Sequence, residues 1–437
     1  MPNVCKKPAS KPPALAPSYA ETSLTSCVCG YGLQKFSDVA ALCVDIAGVS
    51  DITHGIWRCT NSRCRTYHGC NYRVIGGQHI NTCAVSDLTE GVLFLGSGRC
   101  FTLRYLRYHE NLLFRGFLST RSAAWSFVDA YGGQDVQKHF DERINDGLFY
   151  FLAMQELEQV DMHTKIVIGE ELTTAALTKY SKYMHAHVLP PRDPHNVREL
   201  VADGHEKVRA RCEKSRGASS QGGRCAHSHT NGWFMVVDPA SKHIVAVHEQ
   251  VQPENNATLT DILHSILPIY PSCNALIMDR VCSYAPSAAK DPALSQIKYY
   301  IVDKFHALHH VSTCPCNPHK IVRLKRRLSG VNSSACEQLF SWFRGYARVF
   351  NEMRRLRHCF LVMYFARRHN TLVDNGDLGH LQKHGARVAK KRRSTPYPCA
   401  PRAMKKPAAG RFMSKQRVAM KKVASKKVKS VMKKKKQ

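Results

Sequence analysis

From Leu381 to Gln437 the chain has no aspartate or glutamate, yet it holds 21 lysines and arginines. The other 43 basic residues face all 33 acids in the first 380 positions, so most of the formal charge of +31 sits in the tail. A segment so charged and so poor in apolar residues cannot bury enough surface to fold, which predicts a disordered polycationic tail. Long apolar runs are missing too. No uncharged stretch approaches the roughly 20 residues that a membrane span needs, so no membrane partner is expected. Lys6, Lys7 and Pro8 stand where a signal peptide would place its apolar region, which predicts a soluble, intracellular protein. The chain also lacks a Gly-rich loop ending in Lys-Ser/Thr and a G-x-S-x-G elbow, which argues against P-loop nucleotide chemistry and α/β-hydrolase chemistry.

The tail therefore reads first as an arm for a polyanion, with DNA as the expected partner. Lys390-Lys391-Arg392-Arg393 and Lys433 to Lys436 suit an import receptor and a nuclear location. A purely solubilising tail is the plainer alternative.

Eighteen cysteines in a reducing compartment point to zinc rather than disulfides. Cys27-x-Cys29 lies about 30 residues upstream of Cys59-x4-Cys64, with His68 and Cys70 close behind. Two such pairs suit a zinc ribbon, with Cys27, Cys29, Cys59 and Cys64 as ligands and His68 or Cys70 as substitutes. Cys43, Cys83 and Cys100 read as small core residues. A second cluster, His306, His309, His310, Cys314, Cys316 and His319, offers another zinc knuckle, drawn from His310, Cys314, Cys316 and His319. It is followed directly by Arg323, Arg326 and Arg327, a basic arm suited to DNA. Cys212, Cys225, His227 and His229 form a third, looser group on a glycine-rich stretch.

Three acids carry the chemistry. Asp238 ends the apolar run Trp233 to Val237, and Asp279 ends Ala275 to Met278. Glu337 falls in the first turn of an amphipathic segment opened by Asn332-Ser333-Ser334. Carboxylates at two strand ends and one helix start can converge on two divalent ions, Mg²⁺ or Mn²⁺, as in-line phosphoryl chemistry requires. Read as one continuous helix, the segment puts Ser341, Arg344, Arg348 and Arg355 within about 40° of Glu337. Leu339, Phe343, Tyr346, Phe350 and Met353 gather opposite, to pack on a sheet. Arg344 and Arg348 would then steady a phosphate backbone. Each acid also has a simpler explanation: a turn residue for either Asp, and a capping box with Ser334 for Glu337.

The block Asn332-Ser-Ser-Ala-Cys-Glu-Gln-Leu-Phe-Ser-Trp-Phe-Arg-Gly-Tyr-Ala-Arg348, continuing through Asn351-Glu-Met-Arg-Arg-Leu-Arg-His358, resembles the C-terminal segment of Kyakuja–Dileera–Zisupton (KDZ) transposases. Val302-Asp303-Lys304-Phe305-His306 resembles the D-x-x-H motif of related cut-and-paste transposases, and the N-terminal cysteines resemble the CxC-type clusters that accompany the family. The resemblance spans roughly residues 200–375. It implies an RNase H-like core with Asp238, Asp279 and Glu337 as DDE metal ligands and Asp303 with His306 as an auxiliary motif. The family's chains are usually longer.

The expectation is an α/β (α+β) chain. It comprises an arm (1–20), a zinc-binding β module (21–100), a helical region (101–212), a loop (213–230), an RNase H-like core (231–375) and the basic tail (376–437). Within the helical region, Leu148 to Val160, Glu170 to Tyr183 and Asn196 to Cys212 read as helices. The expected function is two-metal DNA cleavage and strand transfer, in a form compatible with a homo-oligomer. The rivals are a domesticated, non-catalytic zinc- and DNA-binding chromatin protein, and a zinc-stapled interaction module.

Overall fold

A computed structural model describes residues 17–381, apart from 89–90, 97, 132–139, 159–165, 169–188, 190–192, 210–230, 252, 312, 352 and 354. Most of the N-terminal arm, the Glu170 to Tyr183 helix, the third cysteine group and nearly all of the basic tail therefore lie outside the described residues. The fold is mixed α/β, with two sheets.

The N-terminal sheet comes from turn-rich sequence with β-branched runs. Its strands are β1 (Tyr19–Ala20), β2 (Leu33–Asp45), β3 (Gly48–Cys59), β4 (Tyr67–His68), β5 (Tyr72–Ile75), β6 (Gln78–Asn81), β7 (Val92–Phe94) and β8 (Arg99–Thr102), with β9 (Val167–Ile168) added at the far edge. β2 and β3 form a long antiparallel hairpin, paired from Leu33↔Cys59 to Asp45↔Gly48. The hairpin tip is tied to the first helix, α1 (Leu103–Gly116). Asp45 accepts a hydrogen bond from the Thr102 hydroxyl (2.6 Å) and pairs with Arg104. Thr102 also caps α1 through Tyr105 N–H. Helices α2 (Thr120–Tyr131) and α3 (Phe140–Glu158) complete this half.

The second sheet contains β10 (Glu199–His205), β11 (Trp233–Val237), β12 (Ile244–Glu249), β13 (Ala275–Ile277) and β14 (Tyr299–Ile301), in the order β12-β11-β10-β13-β14. β11 runs antiparallel to both neighbours, while β10, β13 and β14 are parallel. The Asn196 to Cys212 stretch was expected to be helical, and here the structure differs. Leu200 and Ala202 face one core while Val201 faces the other. A central strand buried on both faces loses the alternation that would mark it as a strand. The second sheet thus begins at residue 199, ahead of residue 231.

Helices sandwich this sheet. On one face lie α4 (Asn256–Ile266), capped by Asn255 to Thr258 N–H, and α5 (Val281–Ala288). A short α6 (Val322–Arg327) leads to α7 (Ala335–Phe343), α8 (Ala347–Phe350) and the long α9 (Arg355–Asp374). The expected amphipathic helix is therefore broken into pieces. Its apolar face nevertheless behaves as expected: Leu339, Phe343, Tyr346 and Phe350 are buried.

α7 and α9 share one core with α1, α3 and the N-terminal sheet. Phe114 stacks on Phe365 at 5.1 Å, and Tyr364 donates to Glu110 at 2.8 Å. Trp233 on β11 donates its indole N–H to Nε2 of His358 at 2.8 Å, with both residues buried. Among the described residues no helix is long and apolar enough to cross a membrane. Trp233→Phe should leave the buried His358 acceptor unpaired and cost about 1–2 kcal/mol. Urea unfolding of the full chain measures this, and an unchanged midpoint would remove the bond from the account.

Candidate metal centres

The parallel register of the second sheet aligns three aspartates. Val201 pairs with Ile277, and Ile277 pairs with Ile301. All three pack into the same core, on the α7 side of the sheet. Each is followed two residues later by an acid: Asp203, Asp279 and Asp303. Because side chains alternate along a strand, the three acids continue on that same face, one level beyond the apolar pairs. α7 lies across this face, with Cys336 Sγ directed at Val201 O (3.2 Å), and delivers Glu337.

Asp238 is elsewhere. It follows Val237 by one residue, so it turns to the opposite face, and Val237 is paired with Val201. It therefore stands level with Leu200, about 10 Å back along the strands from Asp203. Its carboxylate is occupied in the β11–β12 turn, accepting from Ala240 N–H (3.0 Å), Ser241 N–H (3.2 Å) and the Ser241 hydroxyl (2.5 Å). The structure groups Asp203, not Asp238, with Asp279 and Glu337. Asp203 is hidden in the sequence because Leu-Val-Ala-Asp-Gly-His falls in a stretch whose pattern predicts a helix. The available signal was an apolar triplet ending in Asp-Gly, like the runs before Asp279 and Asp303.

Electrostatics follow the geometry. Asp203 is pushed up to about 8, first by burial and then by the charges of Asp279, Glu337 and Glu254. Burial also raises Glu337, with Asp303 and Asp279 adding to it and His306 opposing. Glu254, just before α4, is raised by burial and by Asp279. Gly204 lets it approach: a Cβ there would lie 2.6 Å from Glu254 Oε2. Among the described residues, Glu337 Oε2 and Glu254 Oε1 are buried without hydrogen-bond partners. Converging carboxylates with orphaned acceptors are suited to a cation.

Asp303 and His306 come together as the D-x-x-H spacing implied. Asp303 accepts from the Phe305 and His306 N–H groups (2.8 and 3.1 Å) and from His306 Nδ1 (2.6 Å). His306 Nδ1 also lies 3.9 Å from Glu337 Oε1. Asp303, His306 and Glu337 could together hold a metal ion. The alternative capping role for Glu337 fails on one count, because Ser334 makes no side-chain cap bond.

The arginines divide. Arg344 and Arg348 are exposed, as are Arg323 and Arg326. Arg344 is near enough to His205 to help burial hold that imidazole down at about 4. Arg327 is not a free DNA contact: it pairs with Glu199 and donates to Asn274 (2.9 Å), fastening α6 to the sheet. Arg355 pairs with Glu249 at 2.8 Å. A 3₁₀ turn at Arg344–Tyr346 interrupts the helix, and Arg355 belongs to the separate α9.

At the N-terminal module Cys27, Cys29, Cys59 and Cys64 form one cluster that could bind a metal such as zinc. A knuckle closed by Gly30 N–H to Cys27 O precedes β2, and another closed by Cys64 N–H to Asn61 O follows β3. The long hairpin brings the two knuckles together. Sγ atoms lie 3.7 Å apart for Cys27–Cys64 and 3.4 Å for Cys29–Cys59. A tetrahedron with Zn–S bonds of 2.3 Å has edges of about 3.8 Å, so the four sulfurs fit. His68 does not join them; it is buried in β4, paired with Trp57 across the strands. Cys43 and Cys100 are buried and lie opposite each other on β2 and β8, while Cys83 is half-buried. In the second expected zinc group His319 turns away, its Nε2 3.3 Å from Lys304 O.

No known protein family matches the chain, and no curated protein matches it either.

Asp203 carries a testable sign. Its folded-state pKa is raised, so the stability gained in its protonated form is complete below about pH 4 and is lost as the pH climbs to about 8. Without divalent cations, Asp203→Asn should therefore stabilise the chain by up to about 5 kcal/mol at pH 8 and make no difference near pH 4. Thermal melts in chelator across that range decide it; equal melting temperatures at pH 8 would place Asp203 outside a carboxylate cluster.

Proposed function

We propose that the chain is a DNA-strand-cleaving protein of the DDE transposase type, with an RNase H-like core whose metal ligands are Asp203, Asp279 and Glu337. The observation that carries this reading is the alignment of three parallel strand ends with α7, which gathers the half-buried Asp203, Asp279 and Glu337 and the buried Asp303 on one face. The five-stranded mixed sheet with one antiparallel strand supports the same reading. So does the resemblance of the 332–358 block to KDZ transposases, with Asp203 now taking the first position instead of Asp238. Glu254 is a further acid at the rim.

Divalent cations, Mg²⁺ or Mn²⁺, would supply Lewis-acid stabilisation of the attacking and leaving oxygens of an in-line displacement. The chain's own residues set up that chemistry. Asp203 presents its carboxylate from within β10, and Asp279 from the turn that follows β13. Asp303 orients His306 through its Nδ1, and His306 in turn faces Glu337. The exposed Arg344, Arg348, Arg323 and Arg326 would hold DNA by its phosphates. The acid-free tail adds a sequence-independent polyanion arm, consistent with a nuclear protein.

A zinc- and DNA-binding protein without catalysis is the second reading. The clustered acids, with Glu337 Oε2 and Glu254 Oε1 left without hydrogen-bond partners, favour the catalytic one, since crowding like charges has a cost that a pure scaffold has no reason to keep.

Mn²⁺- or Mg²⁺-dependent nicking of supercoiled plasmid should fall by more than about 100-fold in Asp203→Ala, Asp279→Ala or Glu337→Ala. Asp238→Ala should keep most of it; activity lost only in Asp238→Ala would reverse the assignment. DNA binding with no cleavage by the native chain would leave the scaffold reading standing. Deleting 385–437 should flatten the salt dependence of non-specific DNA binding. Filter-binding isotherms at several salt concentrations measure it, and an unchanged slope would dismiss the tail as a DNA arm.

A further inference from the structure

Outside the two centres already described, one more group of metal-capable side chains converges, and it includes a cysteine far from the others in sequence. Cys282 lies in the first turn of α5, three residues after Asp279. His310 and Cys314 follow the Asp303–His306 turn. Ligand atoms of Cys282, His310 and Cys314 all lie within 4.8 Å of one another, and Cys282 Sγ is 3.8 Å from His310 Nδ1. Cys316, two residues on, is buried, and its thiol interacts with those of Cys314 and Cys282.

The backbone here is a tight knuckle. Cys314 N–H donates to Val311 O, Asn317 N–H to Cys314 O, and Asn317 Nδ2 to Ala307 O. Val302 N–H donates to Cys316 O, which fixes the knuckle against the end of β14. The Cys282–His310 separation matches an edge of a tetrahedral zinc site, Cys314 lies within reach of both, and soft thiolates with imidazole select zinc over magnesium. The plainer alternative is that the thiols pack as small apolar groups in the α5 core.

We propose that Cys282, His310, Cys314 and Cys316 bind a second structural zinc ion. His319 has no part in it. The ion would clip α5, which follows Asp279, to the segment that carries Asp303 and His306. It would hold two motifs of the acidic face in register through one covalently independent tie. The proposal does not depend on the cleavage reading, because zinc can be counted whether or not the chain cuts DNA.

The test is metal analysis of the full chain, purified without chelator. Two zinc equivalents per chain are expected. Cys282→Ser and Cys314→Ser should each retain one equivalent, Cys59→Ser should also retain one, and the Cys59→Ser/Cys282→Ser double variant should retain none. His310→Cys, which keeps a zinc ligand, should hold both. Because serine variants can fail to fold, the native chain provides a parallel measurement. Alkylation read by mass spectrometry should find Cys282, Cys314 and Cys316 protected together and released together by a zinc chelator. A single equivalent in the native chain, or Cys282 alkylated equally with and without chelator, overturns the proposal. Full zinc retention in Cys316→Ser would overturn the four-residue assignment.

Discussion

The parallel register of three strands is the constraint on which the rest depends. Hydrogen bonding pairs Val201 with Ile277 and Ile277 with Ile301, and the two-residue pleat then carries Asp203, Asp279 and Asp303 to one level on one face. Burial and then the neighbouring like charges raise the Asp203 carboxyl, so an ionised acid is unfavourable there. The cost is met elsewhere in the fold. Apolar residues fill both faces of the sheet below the acids, and the aromatic core joining α1, α7 and α9 holds Glu337 over them.

The remainder of the chain can be understood as support for that arrangement. The N-terminal sheet and α1 to α3 share a continuous core with the helices that cover the acidic face. Tyr364 to Glu110 and Trp233 to His358 are buried polar contacts that give this packing a fixed orientation. Two cysteine clusters that could each hold a metal lie at the mouth of the long hairpin and at the knuckle after Asp303. In both, short turns carry the cysteines, several of them buried, and metal coordination could add to the burial that stabilises such segments.

Much of this was legible in the residues. The strands ending at Asp279 and near Asp303, the apolar face from Leu339 to Phe350, and the four-cysteine set all follow from local pattern. Asp203 and Asp238 mark the limit. Both terminate apolar stretches, and only strand pairing tells them apart: one is two residues past a core position, the other one residue past. Arg327 and Arg355 looked like free basic residues, but partners distant in sequence, Glu199 and Glu249, engage them.

By itself, the sequence determined what depends on composition and near neighbours. It set the polycationic, acid-free tail, the cysteine pairs at the hairpin ends, the D-x-x-H turn and the Glu at a helix start. Tertiary structure alone decided which acids meet, where the amphipathic segment breaks, and that Cys282 joins residues some 30 positions away. The reason is physical. Turns, caps and charge density are fixed within a few residues of backbone, whereas a convergent site depends on strand register and on which face each side chain takes, and neither exists until the sheet is assembled.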